Sequence, residues 1–230
     1  MTQKNWIGKI GFRYRAEIQR PQSSVCSEVK KFSTCNLADG AARFYVMDHG
    51  IHAVSNGEKI TGPAVTVMLP PGDNLMLHKA IGLAHPGDIL VVNTWGSTEH
   101  SVCGGIMVRR MKAAGIQGII VDGCIRDTDD LKKLDFPVYA RGNNPAGCRK
   151  EGPGEINFPV SCGGIPVLPG YIVTADKDGI IALPPEDLPS VLEKASQKLV
   201  RENKALEEIQ KGCYVKSDID ALLEAKGFAG

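Results

Sequence analysis

Residues Asp88–Asp130 read DILVVNTWGSTEHSVCGGIMVRRMKAAGIQGIIVDGCIRDTDD. The apolar run Asp88–Asn93 predicts a strand, followed by a glycine-bearing loop and a helix that opens near Gly104-Gly105. A second apolar run, Gly118–Asp122, predicts another strand, and the pair Arg126-Asp127 stands just beyond its end. In α/β folds, ligands gather at helix N-termini and at the carboxyl ends of strands, where backbone N–H groups point outward and loops are free to carry chemistry. The stretch therefore predicts an anion site beside an Arg-Asp pair.

Outward from this stretch, the 230 residues suit one large domain: a polar arm over 1–31, a core over 32–185 and C-terminal helices over 186–230. A formal net charge of +1 without a basic tract argues against nucleic-acid or membrane-surface binding. The N-terminus has no apolar signal segment, and no run approaches the roughly 18 apolar residues of a membrane span, so a soluble, cytoplasmic protein is expected. The seven cysteines are odd in number, scattered and free of any C-x-x-C pair, which predicts reduced thiols. Cys103 and Cys124 flank the central motif as possible nucleophiles, although a buried small hydrophobe is the commoner role.

Upstream, Ser33/Thr34 can cap a helix over Asn36–Phe44, GPAVTVML (Gly62–Leu69) reads as a strand, and NLMLHKAIGLAH has helical spacing. The arm is expected to pack on a neighbour or fray. His49 and His52 have the separation of a zinc half-site, but Gly50 between them argues against a helix presenting both. His78 on the NLMLHKAI helix is open to a structural or a catalytic reading.

Downstream, PVYARG is a strand, a glycine-rich loop runs through Asn143–Glu155, and Phe158–Ala182 holds three or four short strands between Gly/Pro turns. The architecture is thus mixed α/β with an added antiparallel layer. From Glu186 a long helix carries the stripe Leu188, Val191, Leu192, Ala195, Leu199, Leu206 and Ile209, and Glu202 falls in the middle of it. A carboxylate on that face needs a cation, a polar subunit interface or solvent. Ser217 is the expected cap of a last helix ending at Gly227.

At the centre, Gly104, Gly105, Ile106 and Met107 offer backbone N–H groups without intrahelical partners, suited to a carboxylate or phosphate. Arg126 can add a bidentate contact to the same anion, and Asp127 supplies a hard oxygen ligand for Mg²⁺ or Mn²⁺, with waters and substrate completing the octahedron. Asp127 can equally be a helix cap, with Arg126 paired to Asp129, Asp130 or Asp122.

Gly105, twenty residues, Arg126-Asp127, two residues and Asp130 together reproduce the motif of the class II pyruvate aldolases that cleave 4-hydroxy-4-methyl-2-oxoglutarate and 4-carboxy-4-hydroxy-2-oxoadipate. The sequence resembles that family, which shares its fold with the regulator of ribonuclease E activity A. The likeness extends through STCNLADG, GDNLMLHKAI, HPGDILVVN, PVSCGGIPVLPG and ADKDGI. It implies a β/β/α swivelling-domain-like sandwich with a C-terminal helical segment, assembled as a homotrimer or homohexamer with sites between subunits.

By the same resemblance, Gly104–Met107 bind the pyruvyl moiety of a small 2-keto acid, Arg126 contacts it, and Asp127 is the metal ligand. Asp130 orients waters or Arg126, and Glu202 reaches a neighbour's site; Asp122 and His78 have weaker claims. The implied reaction is divalent-metal-dependent retro-aldol cleavage to pyruvate and a second keto acid, with oxaloacetate decarboxylation as a side activity and no Schiff-base lysine. With no His inside the motif, a metal-bound water is the expected base. The alternatives are a non-catalytic regulator of ribonuclease activity on the same fold, which has no need of the Arg126-Asp127 pair, and a nucleotide-binding domain, which lacks G-x-G-x-x-G.

Overall fold

The computed structural model describes residues 5–56, 59–215 and 218–228. Within the arm, Ile7 and Tyr14 pair across a tight turn and Tyr14 runs on beside Ile156, before helix α1 (Ser23–Lys30). Helix α2 (Thr34–Gly40) follows. Ser33 caps it by accepting from the Asn36 N–H at 3.1 Å, and it ends before the expected Phe44 because Ala42, Arg43 and Tyr45 take positive φ.

Strands β1 (His52–Ala53) and β2 (Ile60–Met68) lead into α3 (Leu75–Ile81), β3 (Ile89–Asn93), α4 (Gly105–Ala113), β4 (Gly118–Ile125) and the single turn α5 (Thr128–Leu131). The chain continues through β5 (Val138–Asn143), β6 (Glu155–Ile156), β7 (Val160–Cys162), β8 (Ile165–Val167), β9 (Ile172–Ala175) and β10 (Ile180–Leu183). A 3₁₀ turn, Pro185–Asp187, precedes α6 (Leu188–Gln210), and α7 (Ile219–Ala225) is last. Ser217, the expected cap of that helix, lies outside the described residues.

Strands β2, β3, β4 and β5 are mutually parallel neighbours, and the sheet order is β1-β5-β4-β3-β2-β9-β10, with β9 antiparallel to β2 and β6 also on β2. The β7–β8 hairpin stands apart from this sheet and closes over one face. Both faces are covered, which is why β3 and β4 read as unbroken apolar runs rather than alternating ones. Alternate residues still divide between two cores. Val65, Leu90, Val92, Ile119 and Val121 pack under α3 and α4, whereas Ala64, Ile89, Val91 and Ile120 pack against the hairpin layer. The mixed α/β sandwich inferred from sequence is the one found. A third cluster joins Leu188 and Val191 of α6 to Val29, Leu37, Ile172 and Ile181.

Over its described residues, 5–31, the arm packs on its own chain instead of fraying. Arg20 grips the buried Asp88 in a bidentate pair at 2.9 and 2.8 Å, and Asp88 also accepts from the His85 N–H at 2.7 Å. Arg13 reaches Glu155 at 3.0 Å with its guanidinium over the Phe158 ring. Asp88 sits in the turn that launches β3, so the arm is tied to the first strand of the central unit. Removing Arg20 leaves a carboxylate that is 1% exposed without its cation. Arg20→Ala is therefore expected to cost about 2–4 kcal/mol of unfolding free energy in urea titrations, while Arg15→Ala, at a residue with no carboxylate partner among the described residues, costs clearly less.

Candidate active site

The carboxyl ends of β3 and β4 and the N-terminus of α4 meet at one cavity. The loop from β3 runs along the end of β4: Val102 N–H donates to Cys124 O at 3.0 Å, and Arg126 N–H donates to Cys103 O at 3.0 Å. These bonds set Gly104-Gly105 directly against Arg126-Asp127. The Asp127 Oδ2 accepts from the Gly105 N–H at 2.9 Å, an acceptor placed on the positive end of the α4 dipole. Asp127 itself is left-handed, with φ 63°.

A Cβ on Gly104 would collide with the Asp127 carboxylate, and one on Gly105 would collide with that of Asp130. The glycines are needed for space, since the φ of Gly104 is an ordinary −150°. The twenty-residue spacing thus joins two points in contact. Asp127 spends one oxygen on α4, as the helix-cap reading allowed, and its other oxygen has no protein partner among the described residues. Of the α4 amides, Gly105 N–H is engaged by Asp127, whereas those of Gly104, Ile106 and Met107 have no acceptor among the described residues.

The cavity measures about 230 Å³ and is lined by this segment, by Asn74 just before α3 and His78 within it, by Ser101 and Arg110, and by Cys148 and Lys150 of the loop after β5. Asp73 fixes that loop by accepting from the Glu151 and Gly152 N–H groups at 2.7 and 2.9 Å. Asn74 is 7% exposed and donates to Val102 O at 2.8 Å, yet among the described residues its Oδ1 has no partner, and neither has His78 Nε2. Burial pushes the His78 imidazole below its ordinary pKa, and the cations Lys150 and Arg110 push it further. Burial also holds the cavity thiols protonated, Cys103 at about 12 and Cys148 at about 11. Cys103 and Cys124 are packing residues, buried in the core.

The remaining sequence candidates lie elsewhere. Asp130 does not turn to Arg126. It forms a fork with Arg109 at 2.5 and 2.8 Å, because α4 brings Arg109 over Gly105. Asp122 is bound by Arg141 and accepts from Gly163 N–H, so it does not neutralise Arg126 either. His49 is exposed beside Asp48, His52 is exposed too, and no group of three or more His, Cys, Asp or Glu positioned for a metal occurs among the described residues.

Glu202 accepts from Asn36 at 3.1 Å near Lys198 and lines a separate hollow with Asp39 and Arg43. The stripe that carries it is buried only at Leu188, Val191 and Ala195; Leu199, Leu206 and Ile209 are 40%, 56% and 54% exposed. Helix α6 outruns the body of its own chain, and periodicity alone could not show where the body ends. Sequence reasoning also missed Asn74, Arg110, Cys148 and Lys150. The one available signal was Asn74-x-x-x-His78, which puts both residues on one face of α3.

Comparison with known proteins gives a match to the RraA-like family, Aldolase/RraA, over residues 34–182. A Halalkalibacterium halodurans protein provisionally named 4-hydroxy-4-methyl-2-oxoglutarate aldolase is 39% identical over 72% of this chain and 79% of its own length. The Thermus thermophilus 4-hydroxy-4-methyl-2-oxoglutarate aldolase is 34% identical over 49% of this chain and 68% of its own. Among solved structures, Streptomyces coelicolor RraAS2, described as an unusual member of the RNase ES inhibitor RraA family, superposes with a TM-score of 0.75 at 28% identity. It covers 82% of this chain and 98% of its own.

The His78 environment has a pH signature. Its folded pKa lies below the unfolded value, so between the two the unfolded chain binds more protons and stability falls as pH drops. Urea titrations from pH 7.5 to 5 are expected to show a steeper loss for wild type than for His78→Gln; equal slopes contradict the depressed pKa.

Proposed function

The chain belongs to the RraA-like family, Aldolase/RraA, and from that premise we propose that it cleaves a 4-hydroxy-2-oxo-dicarboxylate or tricarboxylate by a divalent-metal-dependent retro-aldol reaction. The products are pyruvate and a second keto acid, and oxaloacetate is decarboxylated at the same site. The observation that carries this reading is the convergence on one cavity of Asp127, of Arg126 and of the amides at the start of α4, with no protein acceptor among the described residues for the Arg126 guanidinium or for the Gly104, Ile106 and Met107 N–H groups.

The residues fit a hard cation of low demand. Asp127 offers one uncommitted carboxylate oxygen at an exposed position, which suits Mg²⁺ or Mn²⁺ keeping most of its water, and not an all-protein cage. Such a cation supplies Lewis acidity toward the 2-keto acid and stabilises the charge of the pyruvate enolate. The N–H groups of Gly104, Ile106 and Met107 hold the pyruvyl carboxylate at the helix N-terminus. Arg126 adds positive charge beside the developing enolate oxygen. Asp130 acts through Arg109, bracing the first turn of α4 from outside the cavity. Glu202 serves a neighbouring subunit of a trimer or hexamer, where the exposed end of the α6 stripe is covered.

Purified protein with Mg²⁺ or Mn²⁺ is expected to release pyruvate from 4-hydroxy-4-methyl-2-oxoglutarate or from oxaloacetate, with EDTA abolishing turnover and Asp127→Ala reducing it to background. Full activity without metal, or in Asp127→Ala, overturns the reading. Arg126→Ala is expected to lower kcat about 10²–10³-fold, the usual loss for an electrostatic donor. Inhibition of a ribonuclease by protein inactive in both assays would favour a regulatory role instead. Glu202→Gln is expected to lower turnover without changing the unfolding midpoint; unchanged kinetics contradict the cross-subunit role.

A further inference from the structure

Retro-aldol cleavage needs a group that takes the proton of the 4-hydroxyl, a task the sequence resemblance left to a metal-bound water and to no residue of the Gly105–Asp130 motif. We propose that His78 is this group, and that it carries the same proton onward to C3 of the departing pyruvate. The inference rests on the function proposed above.

The cavity wall leaves few other acceptors. Arg110, Arg126 and Lys150 are donors only. Cys103 and Cys148 are held as thiols by burial. Ser101 is buried and donates its hydroxyl to Ala146 O at 3.0 Å. Asp127 is committed on one oxygen to Gly105 N–H, and the proposed function assigns the other to the metal. His78 remains, on the α3 wall, with an Nε2 that has no partner among the described residues. A buried ring nitrogen without a partner among the described residues, on a residue that lines a polar cavity, is the kind of group that calls for a functional explanation. Burial first, and then the positive charges of Lys150 and Arg110 in the same cavity lining, disfavour a charged ring.

The step balances within the substrate. The imidazole takes the 4-hydroxyl proton, the C4 oxygen forms its carbonyl, and the C3–C4 bond breaks with its electron pair moving into the enolate of pyruvate. The imidazolium then gives that proton to C3, making the methyl group and regenerating neutral His78. No proton is gained or lost overall, and no co-reactant is needed. Oxaloacetate loses CO₂ without any hydroxyl proton to remove, so His78 gains no proton in its decarboxylation, the enolate takes its C3 proton from solvent, and neither half of this cycle runs through the imidazole.

That difference is the test. In His78→Gln, with Mn²⁺ present, cleavage of 4-hydroxy-4-methyl-2-oxoglutarate is expected to fall at least about 10²-fold in kcat with little change in KM. Oxaloacetate decarboxylation is expected to stay within about threefold of wild type, which also shows that the variant is folded and the pyruvyl site intact. Parallel losses in both reactions, or no loss in either, overturn the assignment. His78→Asn is measured alongside, and retention of aldol cleavage in either variant counts against it. If wild type performs neither reaction, the function reading itself fails. A readout independent of turnover is the imidazole ¹⁵N spectrum of the metal-free protein at pH 7: a neutral His78 ring that shifts on adding pyruvate is expected, and a charged or unresponsive ring overturns the proposal.

Discussion

One hydrogen bond, from the Gly105 N–H to the Asp127 carboxylate, fastens the first turn of α4 to the end of β4. Two successive crossover segments of a parallel sheet meet there. The turn of α4 can approach because neither glycine carries a Cβ, and Asp127 can turn back because it adopts a left-handed backbone that Asp tolerates better than most residues. The cavity is what remains between this joint, the α3 wall and the loop after β5. Its chemistry follows from the same bond, since placing one carboxylate oxygen on the helix dipole fixes where the other stands.

This joint explains how much could be read in advance. The spacing from Gly105 to Arg126-Asp127 and Asp130 is local enough to survive in one dimension, and the strands and helix that carry it have clean apolar patterns. Asp130 was readable as a motif member but not in its role. Arg109 and Arg126 are both within its reach in sequence terms, and only the pitch of α4 decides that Arg109 takes it. Lys150 lies on a loop whose course is set by the buried Asp73 carboxylate, a tertiary fact with no periodic trace.

Helix α6 shows a different kind of limit. Its apolar stripe runs from Leu188 to Ile209, broken at Glu202, and periodicity treats the whole stripe as equally buried. The structure buries its first part against α2 and leaves the rest open. Glu202 sits where cover gives way to exposure, meeting Asn36 and Lys198 at the edge of the body. A carboxylate tolerated there in one chain is also presented to whatever packs on Leu199, Leu206 and Ile209.

The arginines separate structure from site. Arg13, Arg20, Arg109 and Arg141 each close on a carboxylate, with Glu155, Asp88, Asp130 and Asp122 as partners. Arg110, Arg126 and Lys150, which line the cavity, have no such partner among the described residues, and Asp127 is the only carboxylate in the lining. Three cations against one carboxylate leave the cavity with excess positive charge. Burial, and after it the charges of Lys150 and Arg110, lower the proton affinity of the adjacent His78 imidazole, and the same excess of positive charge suits the keto acid proposed as substrate. A carboxylate-bearing substrate would offset part of that charge on binding and raise the proton affinity of the ring. With His78 as the proposed base, substrate binding and proton acceptance would be coupled through one electrostatic field, the ring gaining proton affinity as the hydroxyl comes into place.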